Sequence, residues 1–316
     1  MDHSFTDPAS LRAIAGPCET DQVNALKPLI DAVRRRHRHA VRAVVYYGSC
    51  LRSGDPTSGL VDFYVIVDRY RAAHASRVSA AANQLLPPNV YYLECDTGVA
   101  MLRCKYAVIT LDDLQRGVKH GRLSSLWGRF AQPVAIAHAA NDEIREALRA
   151  CCGQAVITLL DASLPALQPP MLPAEAFGAA LALSYGGELR TEGGDRGLRI
   201  AEQDRPEYAR RLHAARGHLT FDIDQCPDGR IAWRPSAAQC RSARRAWRLR
   251  APAGRAVSVM RLAKACFTFD NAIDYAAWKL ERHTGVAIEV TPRLRRHPLI
   301  YAWPVLWRLY RDGTLR

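Results

Sequence analysis

None of the nine cysteines, at positions 18, 50, 95, 104, 151, 152, 226, 240 and 266, stands in a C-x-x-C pair, and their number is odd. That pattern suggests neither a zinc site nor a disulfide framework, and a reduced, cytosolic setting is expected. No stretch approaches the ~20 consecutive apolar residues that span a bilayer. The segment from Met1 to Pro17 has acidic residues and no apolar centre, so no secretory signal is expected there. Internal repeats and low-complexity tracts are missing. The ten histidines are scattered and form no Ser/His/Asp or Cys/His arrangement; His120, His138 and His283 read as surface residues. Nothing here points to a nucleophile activated by an adjacent base.

What is present starts with size. A chain of 316 residues accommodates about two domains of roughly 100–200 residues each. With 48% hydrophobic residues it can bury an ordinary core, which argues against global disorder. The formal net charge of +13 is unevenly spread. Residues 241–316 hold 16 Lys and Arg against 5 Asp and Glu, whereas residues 136–240 hold 11 against 14. A basic block of that kind attracts polyanions, either an anionic membrane surface or nucleic acid.

Helical spacing of Val23, Leu26, Leu29, Ile30 and Val33 predicts a helix over 21–38, with Arg34, Arg35, Arg36 and Arg38 at the end where its dipole favours cations. Strands are predicted at 43–47, 61–67, 90–94 and 106–110, and helices at 73–85 and 111–119. Strands alternating with helices indicate an α/β sheet domain over residues 1–135. After Pro133 the texture is helical (141–150, 156–160, 174–185, 205–216), which sets off 136–240 as a small helical domain. The remainder, 241–316, is a basic C-terminal region. It opens on an Arg-rich connector at 236–255, followed by amphipathic helices at 257–269 and 273–282. Its tail interleaves Arg295, Arg296, Arg308 and Arg311 with Tyr301, Trp303, Trp307 and Tyr310. That mixture suits a membrane interface, and Pro298 and Pro304 interrupt any long span.

Chemistry concentrates in Tyr46-Tyr47-Gly48-Ser49 and Val61-Asp62-Phe63-Tyr64-Val65-Ile66-Val67. A strand runs into a Gly-Ser turn, and a later apolar strand opens with one carboxylate. Gly48 lets backbone approach a triphosphate closely, and the Ser49 hydroxyl with nearby N–H groups suits phosphate oxygens. Asp62 is the candidate metal ligand. Mg²⁺ is the expected ion, since it binds through few carboxylates plus substrate phosphates. The arrangement resembles the opening of the active site in nucleotidyltransferases of the DNA polymerase beta type. Such sites usually carry a second carboxylate two residues on, where this chain has Tyr64. Asp55, Asp96 or Glu94 would supply the missing charge, and Glu94 is the preferred second metal ligand because a third carboxylate on an adjacent strand is part of that fold.

Further segments, in order, resemble one family: the mitochondrial-type phosphatidate cytidylyltransferases, the translocator assembly and maintenance proteins and their bacterial relatives. Tyr47-Gly48-Ser49 with Asp62-Phe63 matches its YGS…DF segment. Leu86-Pro87-Pro88-Asn89-Val90-Tyr91-Tyr92 resembles its proline-asparagine turn into a strand. Lys105-Tyr106 resembles its Lys-Tyr-Gly, with Ala107 in place of glycine. Gly128-Arg129-Phe130-Ala131-Gln132-Pro133-Val134 resembles its Gly-Arg-Leu-x-Lys-Pro-Val, with Gln132 where lysine is usual. Leu183-Ser184-Tyr185-Gly186-Gly187-Glu188-Leu189-Arg190 resembles its Leu-Ser-Tyr-x-Gly-Asp-x-Arg. The resemblance covers residues 43–200 and is less specific beyond.

It implies a nucleotidyltransferase domain at 1–135, a winged-helix-like domain at 136–240 and a membrane-contacting region at 241–316. It also implies the reaction: CTP and phosphatidic acid give CDP-diacylglycerol and pyrophosphate, at the inner face of a membrane to which a cytoplasmic protein binds peripherally. Lys105 and Arg129 become candidates for gripping the triphosphate or the phosphatidate head group. Glu188 and Arg190 either form a structural ion pair or reach the nucleotide. Two other readings compete: a nucleotidyltransferase for an RNA end or a protein hydroxyl, and a degenerate nucleotide-binding protein without catalysis. Nucleic acid is a partner only in the first of these.

Overall fold

The computed structural model describes residues 6–187, 195–268 and 290–296; Glu188, Arg190, the 273–282 segment, His283 and the aromatic tail from 297 lie outside them. A mixed five-stranded sheet organises the first part of the chain. Its strands are β1 (Val41–Tyr47), β2 (Val61–Val67), β3 (Asn89–Asp96), β4 (Met101–Thr110) and β5 (Ala135–Ala139), in the spatial order β3-β4-β2-β1-β5. β2 pairs antiparallel with β1 and parallel with β4, and β3 and β5 close the two edges. A central strand must be apolar on both faces. β2 obeys this: Phe63, Val65 and Val67 bury on one side, Tyr64 and Ile66 on the other. Asp62, at its head, is the exception.

The helices of this part are α1 (Pro8–Ala15), α2 (Val23–His37), α3 (Ser49–Ser53), α4 (Tyr70–Ala73), α5 (Arg77–Leu85), α6 (Leu111–His120) and α7 (Trp127–Phe130). Leu26, Leu29, Ile30 and Val33 of α2 pack on the Phe63 face, as their spacing predicts. The helix predicted over 73–85 is two helices. His74 turns its ring into a buried polar cluster, and Ser76 then restarts the helix by accepting a hydrogen bond from the Ser79 N–H at 3.4 Å.

There follow α8 (Asp142–Ser163), α9 (Pro173–Gly186), α10 (Arg196–Gln203), α11 (Arg205–Ala215), the hairpin β6 (Ile223–Gln225) with β7 (Ile231–Trp233), and α12 (Ala237–Thr268). α8 is one helix where the pattern suggested two. Its middle is small enough to bury: a Cβ on Gly153 would run into the Leu11 carbonyl of α1. α8 is long and apolar enough to cross a membrane by length and composition, yet most of that stretch is buried in the core. The boundary expected at 135/136 falls inside β5, and one apolar core continues from Val45, Tyr64 and Ile66 through α8 to Phe177, Leu181, Tyr208 and Trp233.

The Arg-rich connector expected at 236–255 is instead the first half of the 32-residue helix α12. Ala, Arg and Leu are strong helix formers. The start is a capping box: Gln239 donates its N–H to Ser236 Oγ at 3.2 Å, and the Ser236 N–H donates to Gln239 Oε1 at 2.7 Å.

Candidate active site

Sheet register assembles the site. Tyr47 stands opposite Asp62 across β1 and β2, Asp62 opposite Lys105 across β2 and β4, and Lys105 opposite Tyr92 across β4 and β3. Strand periodicity turns this row to the face shared by Tyr64, Ile66, Ala107 and Ile109. Across four strands the row thus reads hydroxyl, carboxylate, ammonium, hydroxyl. Lys105 Nζ lies 3.5 Å from Asp62 Oδ1, and both side chains are partly open to solvent, at 32% and 22% exposure.

Above the carboxylate the chain turns at Gly48, with φ of +95°; a Cβ there would stand 2.7 Å from Asp62 Oδ2. Only glycine combines that backbone angle with so close an approach. Ser49 follows as the exposed first residue of α3. The sequence thus delivers a backbone turn, a hydroxyl and a carboxylate to one spot by ending β1 at Tyr47.

Arg129 reaches the same spot from α7, where its positive charge acts on the Tyr47 hydroxyl. Burial pushes the Tyr47 phenol well above its ordinary pKa, and the neighbouring Asp62 carboxylate adds to the shift, so the hydroxyl stays neutral. Tyr47 packs on Tyr64 at 5.1 Å between ring centroids, and Tyr64 on Phe130 at 5.0 Å. Tyr64, two residues beyond Asp62, buries its aromatic ring at 4% exposure.

A four-residue helix needs outside support, and α7 has it. The Tyr185 hydroxyl donates to Gln132 Oε1 at 3.2 Å, while Gln132 Nε2 donates to the Gly128 carbonyl at 2.8 Å. Ser124 Oγ donates to the Ser184 carbonyl at 3.0 Å and Ser184 Oγ to the Ser124 carbonyl at 3.3 Å. Trp127 Nε1 donates to the Gly121 carbonyl at 3.0 Å. Gly128 backs directly on Ser184, where a Cβ would clash. The 128–134 and 183–187 segments, far apart in sequence, are therefore one stitched unit that presents Arg129. Gln132 is a buried cross-link within it.

Glu94 lies on edge strand β3, two strands from Asp62. Its carboxylate accepts from the Tyr92 hydroxyl at 2.5 Å and from Arg103 Nε at 3.0 Å. Asp55 and Asp96 serve local turns, accepting from the Thr57 and Gly98 N–H groups at 2.8 Å each. Among the described residues, no group of three or more His, Cys, Asp and Glu is gathered. The donor set suits an ion that arrives with a polyphosphate: one carboxylate, open to solvent beneath a backbone turn too tight for a Cβ, with phosphates as the remaining ligands. Sequence reasoning assigned no role to the Tyr47 and Tyr92 hydroxyls, although the register of the predicted strands was the signal that could have placed them.

Neither a comparison with protein-family models nor one with curated proteins returns a match.

Proposed function

We propose that this chain is a CTP:phosphatidate cytidylyltransferase acting at a membrane surface, with a nucleotidyltransferase-type sheet domain. The observation that supports this most is the meeting of Gly48, Asp62, Lys105 and Arg129, from four separate segments, at one end of one sheet face. In the sequence, Gly48 and Asp62 stand out by local pattern, and Lys105 and Arg129 through the family resemblance. The order of α9, α10 and α11 followed by the β6–β7 hairpin supports the winged-helix-like reading of residues 136–240.

Nucleotidyl transfer asks a protein mainly for positioning and for positive charge near the phosphates. A phosphatidate oxygen attacks the α-phosphorus of CTP, a new P–O bond forms, and the bond to the β-phosphate oxygen breaks with release of pyrophosphate. The attacking phosphate is anionic at neutral pH, so no general base is needed. Gly48 and Ser49 offer backbone and hydroxyl groups to the triphosphate, and Asp62 would hold Mg²⁺, which supplies charge neutralisation when bound with the nucleotide. Lys105 and Arg129 bring cations to the same place. Arg129 does so as a planar fork beside Tyr47, and Lys105 as a point charge held by Asp62 until phosphates compete for it.

A labelled-CTP assay with phosphatidate and Mg²⁺ tests this. The wild-type chain should form CDP-diacylglycerol, and Asp62→Asn should lower turnover at least ~10³-fold without unfolding. No labelled lipid from wild type would refute the reaction, and retained turnover in Asp62→Asn would refute the ligand assignment.

A further inference from the structure

Arg103 shares the sheet face of Asp62. Side chains alternate along β4: Leu102, Cys104, Tyr106 and Val108 bury on the Phe63 face, so Met101, Arg103 and Lys105 turn to the other. Followed outward from Lys105, that face offers one cation, a second about 7 Å further along the strand, and then an apolar end. Met101 is 40% exposed, and Val99, in the turn that joins β3 to β4, is 96% exposed. β2 starts at Val61, opposite Cys104, so Arg103 stands one residue past the end of that neighbouring strand.

An exposed ion pair holds Arg103 in place. It stands opposite Glu94 in the β3–β4 register, and its Nε donates to Glu94 Oε1 at 3.0 Å. The same oxygen accepts from the hydroxyl of buried Tyr92 at 2.5 Å, which anchors the carboxylate to the sheet. The Arg103 and Glu94 side chains are 32% and 40% exposed, and a pair that open contributes little to the fold. A phosphate dianion carries more charge than the carboxylate and matches the guanidinium fork, so it can take Glu94's place.

We propose that Arg103 binds the phosphate of the acceptor while Met101 and Val99 meet the apolar part of the same molecule, a phosphomonoester with acyl chains. Direction supports the assignment. In nucleotidyl transfer the attacking and leaving oxygens lie roughly in line, on opposite sides of the phosphorus. Gly48 and Arg129 flank Asp62 from the β1 side, and Arg103 flanks it from the β4 side. A triphosphate on the first side leaves the second for the attacking anion, and each of the two anions then has its own arginine. The order along β4, cation before apolar side chains, matches a head group that points to Asp62 and a tail that points away. The proposal rests on the transferase reading above and names the residues that select its acceptor.

The test is isothermal titration calorimetry of the full chain without CTP, using monomeric dihexanoyl phosphatidate and, separately, inorganic phosphate. Wild type should bind phosphatidate more tightly than inorganic phosphate; equal affinities would assign the subsite to a free anion and overturn the lipid part. Arg103→Ala should weaken phosphatidate at least ~10-fold and leave CTP–Mg²⁺ binding unchanged. Val99→Ser combined with Met101→Ser should weaken phosphatidate several-fold, and an unchanged affinity would remove the apolar contact. Glu94→Gln breaks the same ion pair as Arg103→Ala yet removes the competing charge, so it should tighten phosphatidate binding. Equal losses in those two variants would reveal a purely structural pair and overturn the proposal. So would an absence of phosphatidate binding by wild type, undiminished binding by Arg103→Ala, or a CTP loss in that variant as large as its phosphatidate loss. Phosphatidate binding that depends on Arg103, without formation of CDP-diacylglycerol, would refute the reaction and leave the subsite standing. Turnover with an unchanged KM for phosphatidate in Arg103→Ala would do the reverse.

Discussion

At the scale of single residues, Gly48 and Asp62 constrain one another: the carboxylate can sit under the turn only because the turn has no side chain. Gly48→Ala should therefore do two things. The positive φ and the 2.7 Å approach to Oδ2 should cost about 1–3 kcal/mol in urea unfolding, and the displaced carboxylate should depress CTP turnover as strongly as Asp62→Asn does. Gly54 is the control. It also has positive φ, +74°, but no atom lies within 4 Å of a Cβ built there. Gly54→Ala should lose about 1 kcal/mol and keep full turnover. If both variants behaved alike, the close approach at Gly48 would not matter to the site. The Asp62–Lys105 pair illustrates the same division between stability and chemistry. A partly exposed ion pair contributes about 0–1 kcal/mol, so its place in the middle of the row is better explained by what it offers an incoming phosphate than by what it adds to the fold.

At the scale of elements, the question is how a helix of four residues can hold an arginine steadily. The stitching of α7 to the end of α9 answers it, and the Gly128–Ser184 contact is its tightest point. Gly128→Ala should destabilise by about 1–3 kcal/mol, read as a lowered Tm. Combining it with Ser184→Gly should recover part of that loss, because the clashing hydroxymethyl is gone; strictly additive effects of the two substitutions would show that the segments are not coupled. Several elements were legible beforehand. The apolar runs at 43–47 and 61–67 predicted β1 and β2, and the Gly-Ser turn and Asp62 were visible as a unit because they are local. Lys105 beside Asp62 was not, since parallel pairing of β2 with β4 joins positions 43 residues apart and leaves no periodic trace. α12 was misread because a run of exposed arginines looks like a connector when helical spacing of apolar residues is the only signal weighed. Ser236 and Gln239, three residues apart, already spelled its capping box. The continuous core across 135/136 was hidden for a related reason: a composition shift marks a change of texture, whereas burial joins whatever packs together.

At the scale of the whole molecule, the sheet has a second face whose polar chemistry bears on stability. His37 and His74 are buried there with Tyr91, Tyr106, Asn83 and Asn89. The His37 ring pairs through Nδ1 with the Ala73 carbonyl at 2.7 Å and through Nε2 with the Tyr106 hydroxyl at 3.2 Å. His74 pairs through Nδ1 with the Tyr91 hydroxyl at 3.0 Å and through Nε2 with Asn83 Nδ2 at 3.0 Å. The charges that act on this cluster are Arg36 and Lys264, both cations. Burial pushes the His74 imidazolium down to about 4 and lowers His37 as well, and the neighbouring cations add to both shifts. Both rings are therefore neutral when folded, whereas in the unfolded chain they titrate near ~6.5. Above about pH 6.5 neither state binds the proton and the fold loses nothing. Between about 6.5 and 4 the unfolded chain takes up a proton that the folded His74 refuses, so stability falls with pH by up to ~1.4 kcal/mol per unit, and His37, lowered by burial as well, adds to the fall in the same direction. The carboxylates held low by arginines, Glu207 among them, act in the same direction but only below the ordinary carboxylate range, which keeps the two windows apart. The cluster joins α2, α4, α5, β3 and β4, and Arg261 of α12 holds the Pro87 carbonyl just before β3, so its failure should be global rather than local. Urea unfolding at about pH 7 and about pH 5 should show that loss. His74→Gln, which keeps hydrogen-bonding groups but cannot take the proton, should flatten the slope; equal stability of the wild-type chain at both pH values would mean that these rings are protonated without cost.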